Sequence, residues 1–259
     1  MEMHGSSWED EEKEPGWTRR DLVRAGMGVG ALATLATLGA STAGQILPLP
    51  LKISGEVKES IHYTKFPTPQ WWDDRAGSPI KVTDFQEWQG ATGTWRGVFR
   101  DGKYVPGSGY PVLVIRVMRD EETFSAPPRE EVDLPAGFDL YFDDASRDIR
   151  IVVCLDRCVH LCCSPGWQVV KHPPPEYKFL APAPTYEKYG LDPIYCVCHG
   201  SQYEPMVLVK DVNPGNGVVY VGARHVHGPA TRALPVIPVK AEKDVLVGGM
   251  PSSGWYEYC

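Results

Sequence analysis

The chain has 259 residues, of which 42% are hydrophobic, and it carries a formal net charge of −7 with a pI near 5.5. This length and hydrophobic fraction suffice for a proper core, and they favour one soluble domain with an added membrane segment. Lys and Arg are not clustered, which argues against a nucleic-acid surface because phosphate binding depends on grouped cations. Seven cysteines are too few for a small disulfide scaffold.

The N-terminal region predicts a tail followed by a membrane anchor. Residues 1–18 are polar and acidic without a hydrophobic period, which is typical of a disordered cytoplasmic tail. Arg19 and Arg20 then open a stretch similar to a twin-arginine export signal, and residues 25–43 carry no charge. A helix needs about 20 residues to cross the hydrocarbon core, so residues 19–44 are predicted to hold the targeting motif and one transmembrane helix. The alternative is a signal peptide cut near residues 41–43, where small residues suit a peptidase.

The charges around this anchor predict its orientation. Arg19, Arg20 and Arg24 lie on its N-terminal side, which keeps that end in the cytoplasm by the positive-inside rule. The following domain is therefore expected on the outer face of a prokaryotic cell membrane, attached by a single pass. Residues 45–56 follow as a linker, whose first part, residues 45–51, is uncharged and broken by prolines.

The rest of the chain is predicted to be mostly β. Residues 110–118 and 149–155 are rich in β-branched side chains and bounded by turn-formers, which predicts two buried strands. Residues 206–210 and 217–221 predict an antiparallel pair, because residues 213–216, N-P-G-N, supply a turn between them.

Two short segments carry the residues that indicate chemistry. The first Cys/His segment, residues 158–163, has the sequence C-V-H-L-C-C, and the second Cys/His segment, residues 196–203, has the sequence C-V-C-H-G-S-Q-Y. Each offers a cysteine and a histidine at metal-ligand spacing. Thiolate binds iron–sulfur clusters or zinc strongly and imidazole suits iron or zinc, so the donor types alone leave both open.

Together these segments resemble the two boxes of Rieske iron–sulfur proteins, which are usually C-T-H-L-G-C and C-P-C-H-G-S-x-Y. In that family two cysteines hold one iron of a 2Fe-2S cluster and two histidines hold the other, which raises the reduction potential. The resemblance implies that Cys158 and Cys196 are thiolate ligands, and that His160 and His199 are imidazole ligands, of one such cluster.

Further residues match the high-potential branch of the family. Cys163 and Cys198 stand where quinol-oxidising members have a disulfide, which requires an oxidising compartment. Ser201 and Tyr203 stand where hydroxyl groups donate to a cluster sulfide and to a ligand thiolate and thereby raise the potential. Cys162 departs from the pattern, since the family usually has glycine there, and a cysteine is penalised if the backbone angle φ is positive.

The resemblance also implies an architecture. Residues 57–259 would form a Rieske domain, an antiparallel basal sandwich with a cluster-binding subdomain inserted at about residues 155–205. Residues 227–235 would form a proline-rich loop that covers the cluster, including Gly228 and Pro229. An N-terminal transmembrane helix would complete the protein.

The function implied is that of an electron-transfer subunit in a membrane quinol-oxidising cytochrome bc-type respiratory complex, as part of a quinol:acceptor oxidoreductase. His199 first, and His160 with it, would contact quinol and accept its proton while the cluster takes one electron. The implied partners are a cytochrome b-type membrane subunit and an acceptor that is a c-type cytochrome or a copper protein. Residues 45–56 would then act as a hinge.

Two alternatives remain open from the sequence. The chain could be the small Rieske subunit of a molybdenum oxidoreductase such as arsenite oxidase, which receives electrons from a catalytic partner. From another class, it could be a structural zinc module with two cysteines and two histidines. The role of the insertion at residues 164–195 is open, Cys154 is interpreted as a core residue, and the pairing of Cys162 and Cys259 is left unassigned.

Overall fold

The structure is a computed structural model that describes residues 55–166, 178–251 and 254–259. All of these residues belong to one unit, Ser54–Cys259. They are almost entirely β, with antiparallel sheets, which confirms the mostly β prediction. Within this part of the chain no helix has the length and apolar character needed to cross a membrane. The predicted anchor and the targeting residues Arg19 and Arg20 lie outside the described residues.

Fourteen strands and one α-helix lie in the described residues, with three short 3₁₀ helices at Asp73–Arg75, Val82–Asp84 and Arg129–Glu131. The strands are β1 (Glu56–Lys58), β2 (His62–Tyr63), β3 (Gly90–Trp95), β4 (Gly97–Arg100), β5 (Lys103–Tyr104), β6 (Tyr110–Val117), β7 (Phe142–Asp144), β8 (Ile149–Leu155), β9 (Ile194–Tyr195), β10 (Gln202–Val212), β11 (Val219–His227), β12 (Leu234–Pro235), β13 (Val239–Glu242) and β14 (Val245–Gly248). The helix is α1 (Pro184–Tyr189).

A five-stranded antiparallel sheet with the order β2-β3-β6-β8-β7 separates two hydrophobic cores. Side chains of a strand alternate between its faces, and β8 is buried along its whole length. Ile151 and Val153 therefore enter one core, with Trp95, while Val152 and Cys154 enter the other. This burial on both faces explains why the strand has a nearly continuous apolar sequence.

A second sheet, four-stranded with the order β12-β11-β10-β9, carries the second Cys/His segment at one edge. Its central pair, β10 and β11, is antiparallel and is joined through the predicted turn, where the Gly217 amide donates to the Asn213 carbonyl over 2.7 Å. Both strands extend further toward the site than the hydrophobic runs predicted. Register shifts near Tyr203 and between Glu204 and Leu208 allow β10 to continue past Pro205.

The two sheets deliver the two Cys/His segments to the same place. Strand β8 ends at Leu155, three residues before Cys158, whereas β9 ends at Tyr195 and β10 begins at Gln202, on either side of the second segment. Strands β11 and β12 of the same sheet follow residue 205, so the sheet beside the site draws on chain beyond that position.

Candidate metal centre

The first Cys/His segment folds into a tight turn after β8. The Cys158 amide donates to the Cys163 carbonyl over 2.7 Å, and the Cys162 amide donates to the Cys158 carbonyl over 2.8 Å. Cys162 has a φ of 62°, in the left-handed region that favours glycine. The steric penalty expected for a cysteine at this position therefore applies in the structure.

The second Cys/His segment makes a matching turn. The Cys196 amide donates to the Ser201 carbonyl over 2.8 Å, and the Gly200 amide donates to the Cys196 carbonyl over 2.9 Å. Gly200 has a φ of 77°, which its lack of a β-carbon permits. Both segments thus direct their first cysteine inward, while Leu161 of the first and residues 197–199 of the second are exposed.

Cys158 and Cys196 meet in the core, where each is 1% exposed and neither is in a disulfide. The Tyr203 hydroxyl lies 3.0 Å from the Cys158 Sγ, and backbone amides of both segments point at the two sulfurs. The Cys196 thiol is the largest cause that lowers the pKa of Cys158, and the pKa of Cys196 is raised because it shares its proton with that neighbour. These hydrogen bonds therefore stabilise a negative charge on the buried sulfurs.

His160 and His199, which follow Cys158 and Cys196 by two and three residues, lie against each other. Their ring centres are 4.9 Å apart and the planes are nearly perpendicular, at 89°. The His160 Nδ1 is buried and has no hydrogen-bond partner among the described residues, whereas the side chain of His199 is exposed. Leu161 follows His160 directly and Val197 precedes His199 by two residues, and they are 60% and 45% exposed, so each segment presents an apolar side chain to the surface.

Two disulfides surround the thiol pair. Cys163 is bonded to Cys198, which joins the first segment to the second. Cys162 is bonded to Cys259, the last residue of the chain, a pairing that the sequence left unassigned. Cys154 is buried and free in β8, at a position consistent with its interpretation as a core residue.

The predicted cover loop packs directly on the second segment. Gly228 has a φ of 87°, and a β-carbon there would lie 2.6 Å from the Ser201 Cα and 2.6 Å from the Gly200 carbonyl oxygen. The Ala230 amide donates to the Ser201 Oγ over 3.1 Å, and Ser201 is also within hydrogen-bonding reach of Cys158. Pro229, in contrast, is exposed. The close approach therefore depends on Gly228 rather than on the proline.

Three polar residues near the site, the buried Asp156 and Glu204 and the half-buried His225, belong to no motif that the sequence analysis recognised. Asp156 accepts a hydrogen bond from the Gly166 amide over 3.2 Å and closes the loop around the first segment. Glu204 is fully buried and accepts from the Thr185 amide over 3.0 Å, which fastens α1 beside the second segment. The His225 ring lies 5.8 Å from the Tyr203 ring, and burial lowers its pKa. For Asp156 the available signal was a charged residue placed directly after an apolar strand.

The donor geometry distinguishes between kinds of metal group. Across residues 55–166, 178–251 and 254–259, no three His, Cys, Asp or Glu side chains gather as ligands of a single ion. A 2Fe-2S group needs only two protein donors at each iron. The two thiols are in contact, the two imidazole rings have centres 4.9 Å apart, and the His160 Nδ1 has no hydrogen-bond partner, so the described residues offer two donors of each kind. Comparison with known protein families gives no matching family model, and comparison with curated proteins gives no match either.

Replacing Gly228 by Ala should separate the cover loop from the second segment. The β-carbon would meet backbone atoms of Gly200 and Ser201, whereas one on Gly217, with a φ of 72°, would meet nothing within 4 Å. Both variants bear the left-handed penalty of about 1–2 kcal/mol, and Gly228→Ala should lose roughly 1–3 kcal/mol more from overpacking. Urea unfolding measures the difference, and equal losses in the two variants would contradict the close contact.

Asp156 should make stability fall as pH rises. Burial raises its pKa from 3.8 to about 7, so the folded protein keeps a proton that the unfolded chain releases. The stabilisation is complete below about pH 4 and is lost progressively up to about pH 7, on the order of 4 kcal/mol in total. Urea titrations across this range should show a steeper decline for the wild type than for Asp156→Asn. Parallel curves would show that Asp156 titrates normally.

Proposed function

We propose that this chain is a Rieske-type electron carrier that holds one 2Fe-2S cluster. The observation that carries the proposal is the contact between the buried free thiols of Cys158 and Cys196, together with the contact between the His160 and His199 imidazoles of the same two segments. The cluster, when bound, would supply one-electron redox chemistry. Cys158 and Cys196 would be its thiolate ligands, and His160 and His199 its imidazole ligands.

The residues around the two thiols would raise the reduction potential of the proposed cluster. Backbone amides and the Tyr203 hydroxyl point at sulfur, and hydrogen bonds to a ligand sulfur favour the more negative reduced state. Ser201 is fully buried and bridges the cover loop to this group through the Ala230 amide. Cys163 and Cys198, by joining the segments, hold the donors of both at a fixed separation.

Quinol is the proposed electron donor. His199 is exposed, and the two Cys/His segments also expose the apolar side chains of Leu161 and Val197, which suits contact with a hydrophobic reductant in a membrane protein. One ring nitrogen of His199 would bind metal and the other would accept the quinol proton, with His160 as the second candidate. In this proposal the protein is the Rieske subunit of a cytochrome bc-type complex. It works with a cytochrome b-type subunit and passes electrons to a c-type cytochrome or copper protein outside the cell membrane.

Two measurements on the full-length protein in detergent test this proposal. Low-temperature EPR after reduction should show a 2Fe-2S signal, with a midpoint between about −150 and +300 mV. Cys158→Ser should abolish the signal, whereas Cys154→Ala, which removes the other free buried thiol, should keep it. A quinol-site inhibitor added to the isolated complex should alter the wild-type signal.

Other outcomes of these measurements would overturn parts of the proposal. A 2Fe-2S signal that ignores quinone and inhibitor would favour electron transfer from a molybdenum partner. Stoichiometric zinc without iron would establish the structural zinc module.

Tyr203→Phe should lower the midpoint potential by removing the hydroxyl 3.0 Å from the Cys158 sulfur. We expect a decrease of roughly 60 mV, which is a tenfold change in the equilibrium of a one-electron couple. Tyr220→Phe is the matched control, because that hydroxyl is also buried but donates to the Ala233 carbonyl over 2.7 Å. Equal midpoints in Tyr203→Phe and wild type would remove Tyr203 from the tuning role.

A further inference from the structure

The last residues of the chain, 254–259, form a segment that packs beside the proposed cluster site, and we term it the C-terminal strap. Trp255 is 1% exposed and belongs to the same hydrophobic core as Cys158 and Cys196. The Tyr256 hydroxyl donates to the Val236 carbonyl over 3.1 Å. Trp255 therefore anchors the strap in the core.

Polar contacts also hold the C-terminal strap in place. The Asn213 side-chain amide donates to the Gly254 carbonyl over 3.0 Å and to the Glu257 carbonyl over 3.2 Å. The Arg232 guanidinium lies 5.2 Å from the centre of the Tyr258 ring. Because these contacts come from the turn after β10 and from the cover loop, the strap offers a fixed base that does not depend on its disulfide.

The strap is bonded to both ends of the short stretch that carries Cys158 and His160. The Tyr258 hydroxyl donates to the carbonyl of Arg157 over 2.8 Å, directly before Cys158. At the other end Cys259 is bonded to Cys162. Cys158 and His160 thus lie between two points that are both attached to the strap.

The backbone of Cys162 indicates why a cysteine is used there. Its φ of 62° is one that glycine adopts freely and that a side chain opposes. The cysteine gains in return the covalent bond to Cys259, and its neighbour Cys163 is bonded to Cys198. Disulfides therefore link the end of the first segment both to the second segment and to the strap.

We propose that the C-terminal strap is a positioning device, in which Tyr258 and Cys259 hold the first Cys/His segment in the shape that its donors need. The prediction about the cluster rests on the proposed function, whereas the prediction about the backbone conformation of the first segment does not. In this role the Cys162–Cys259 bond keeps the Cys158 sulfur and the His160 ring in register with their partners on the second segment.

The test compares two double variants of the full-length, cluster-loaded protein. Cys162→Ser with Cys259→Ser removes the bond, keeps a side chain at the left-handed position, and leaves no free thiol next to Cys163. Cys162→Gly with Cys259→Ser removes the bond and also relieves the backbone. We expect the EPR-detected cluster to be lost at least about tenfold faster than in wild type in the serine variant, and about threefold faster in the glycine variant, because glycine accepts this φ.

A stability control separates positioning from general loosening. Val114→Ala truncates a fully buried side chain in the other core and should lower the unfolding temperature. It should leave the rate of cluster loss at 25 °C within about twofold of wild type. Cluster loss in Val114→Ala as fast as in the serine variant would overturn the positioning role, as would a serine variant that keeps its cluster as long as wild type does.

Hydrogen exchange of the metal-free protein tests the strap independently of any cluster. If the strap positions the first segment, amide exchange at residues 157–163 should be about tenfold faster in the serine double variant than in wild type. Exchange in β6 and β8 should be unchanged. Tyr258→Phe, which removes the bond to Arg157, should accelerate exchange at the same residues to a smaller extent. Unchanged exchange at 157–163 would overturn the inference, whereas a wild type without iron would overturn only the proposed function.

Discussion

The contact between Cys158 and Cys196 is the interaction around which the rest of the site is arranged. Two sulfurs in a core with 1% exposure carry negative charge only if donors replace the water they have lost. Those donors are the backbone amides of two turns and the hydroxyl of Tyr203, so both turns and the start of β10 must hold their relative positions. The sheets supply these positions, since β8 leads into one turn and β9 and β10 enclose the other.

Much of the surrounding structure holds these two turns together, and some of its residues adopt energetically unfavourable states to do so. Cys163–Cys198 links them directly, and the cover loop approaches so closely that Gly228 has no space for a side chain. Asp156 is held in the core with a raised pKa, and Cys162 keeps a left-handed backbone. Unfavourable features of this kind persist where surrounding contacts over-determine the conformation, and they cluster at functional sites.

The sequence revealed the strands and the donor types better than the supports between them. Strand β8 was recognisable because burial on both faces leaves a continuous apolar run, and the β10–β11 turn because Asn, Pro and Gly specify it chemically. The ends of β10 and β11 were missed, since register shifts let polar residues continue the pairing. The Cys162–Cys259 pair and the Glu204 contact with Thr185 depend on distant parts of the chain meeting, which no local pattern encodes.

Pulsed EPR of the reduced protein would decide whether two histidines and two cysteines of this chain hold a single 2Fe-2S cluster, as proposed. With histidine labelled by nitrogen-15, the spectrum should show hyperfine couplings from two imidazole nitrogens bound to one iron, and one or both should be lost in a His160→Cys or His199→Cys variant. A reduced cluster without imidazole couplings, or a protein with no iron signal, would contradict this proposal.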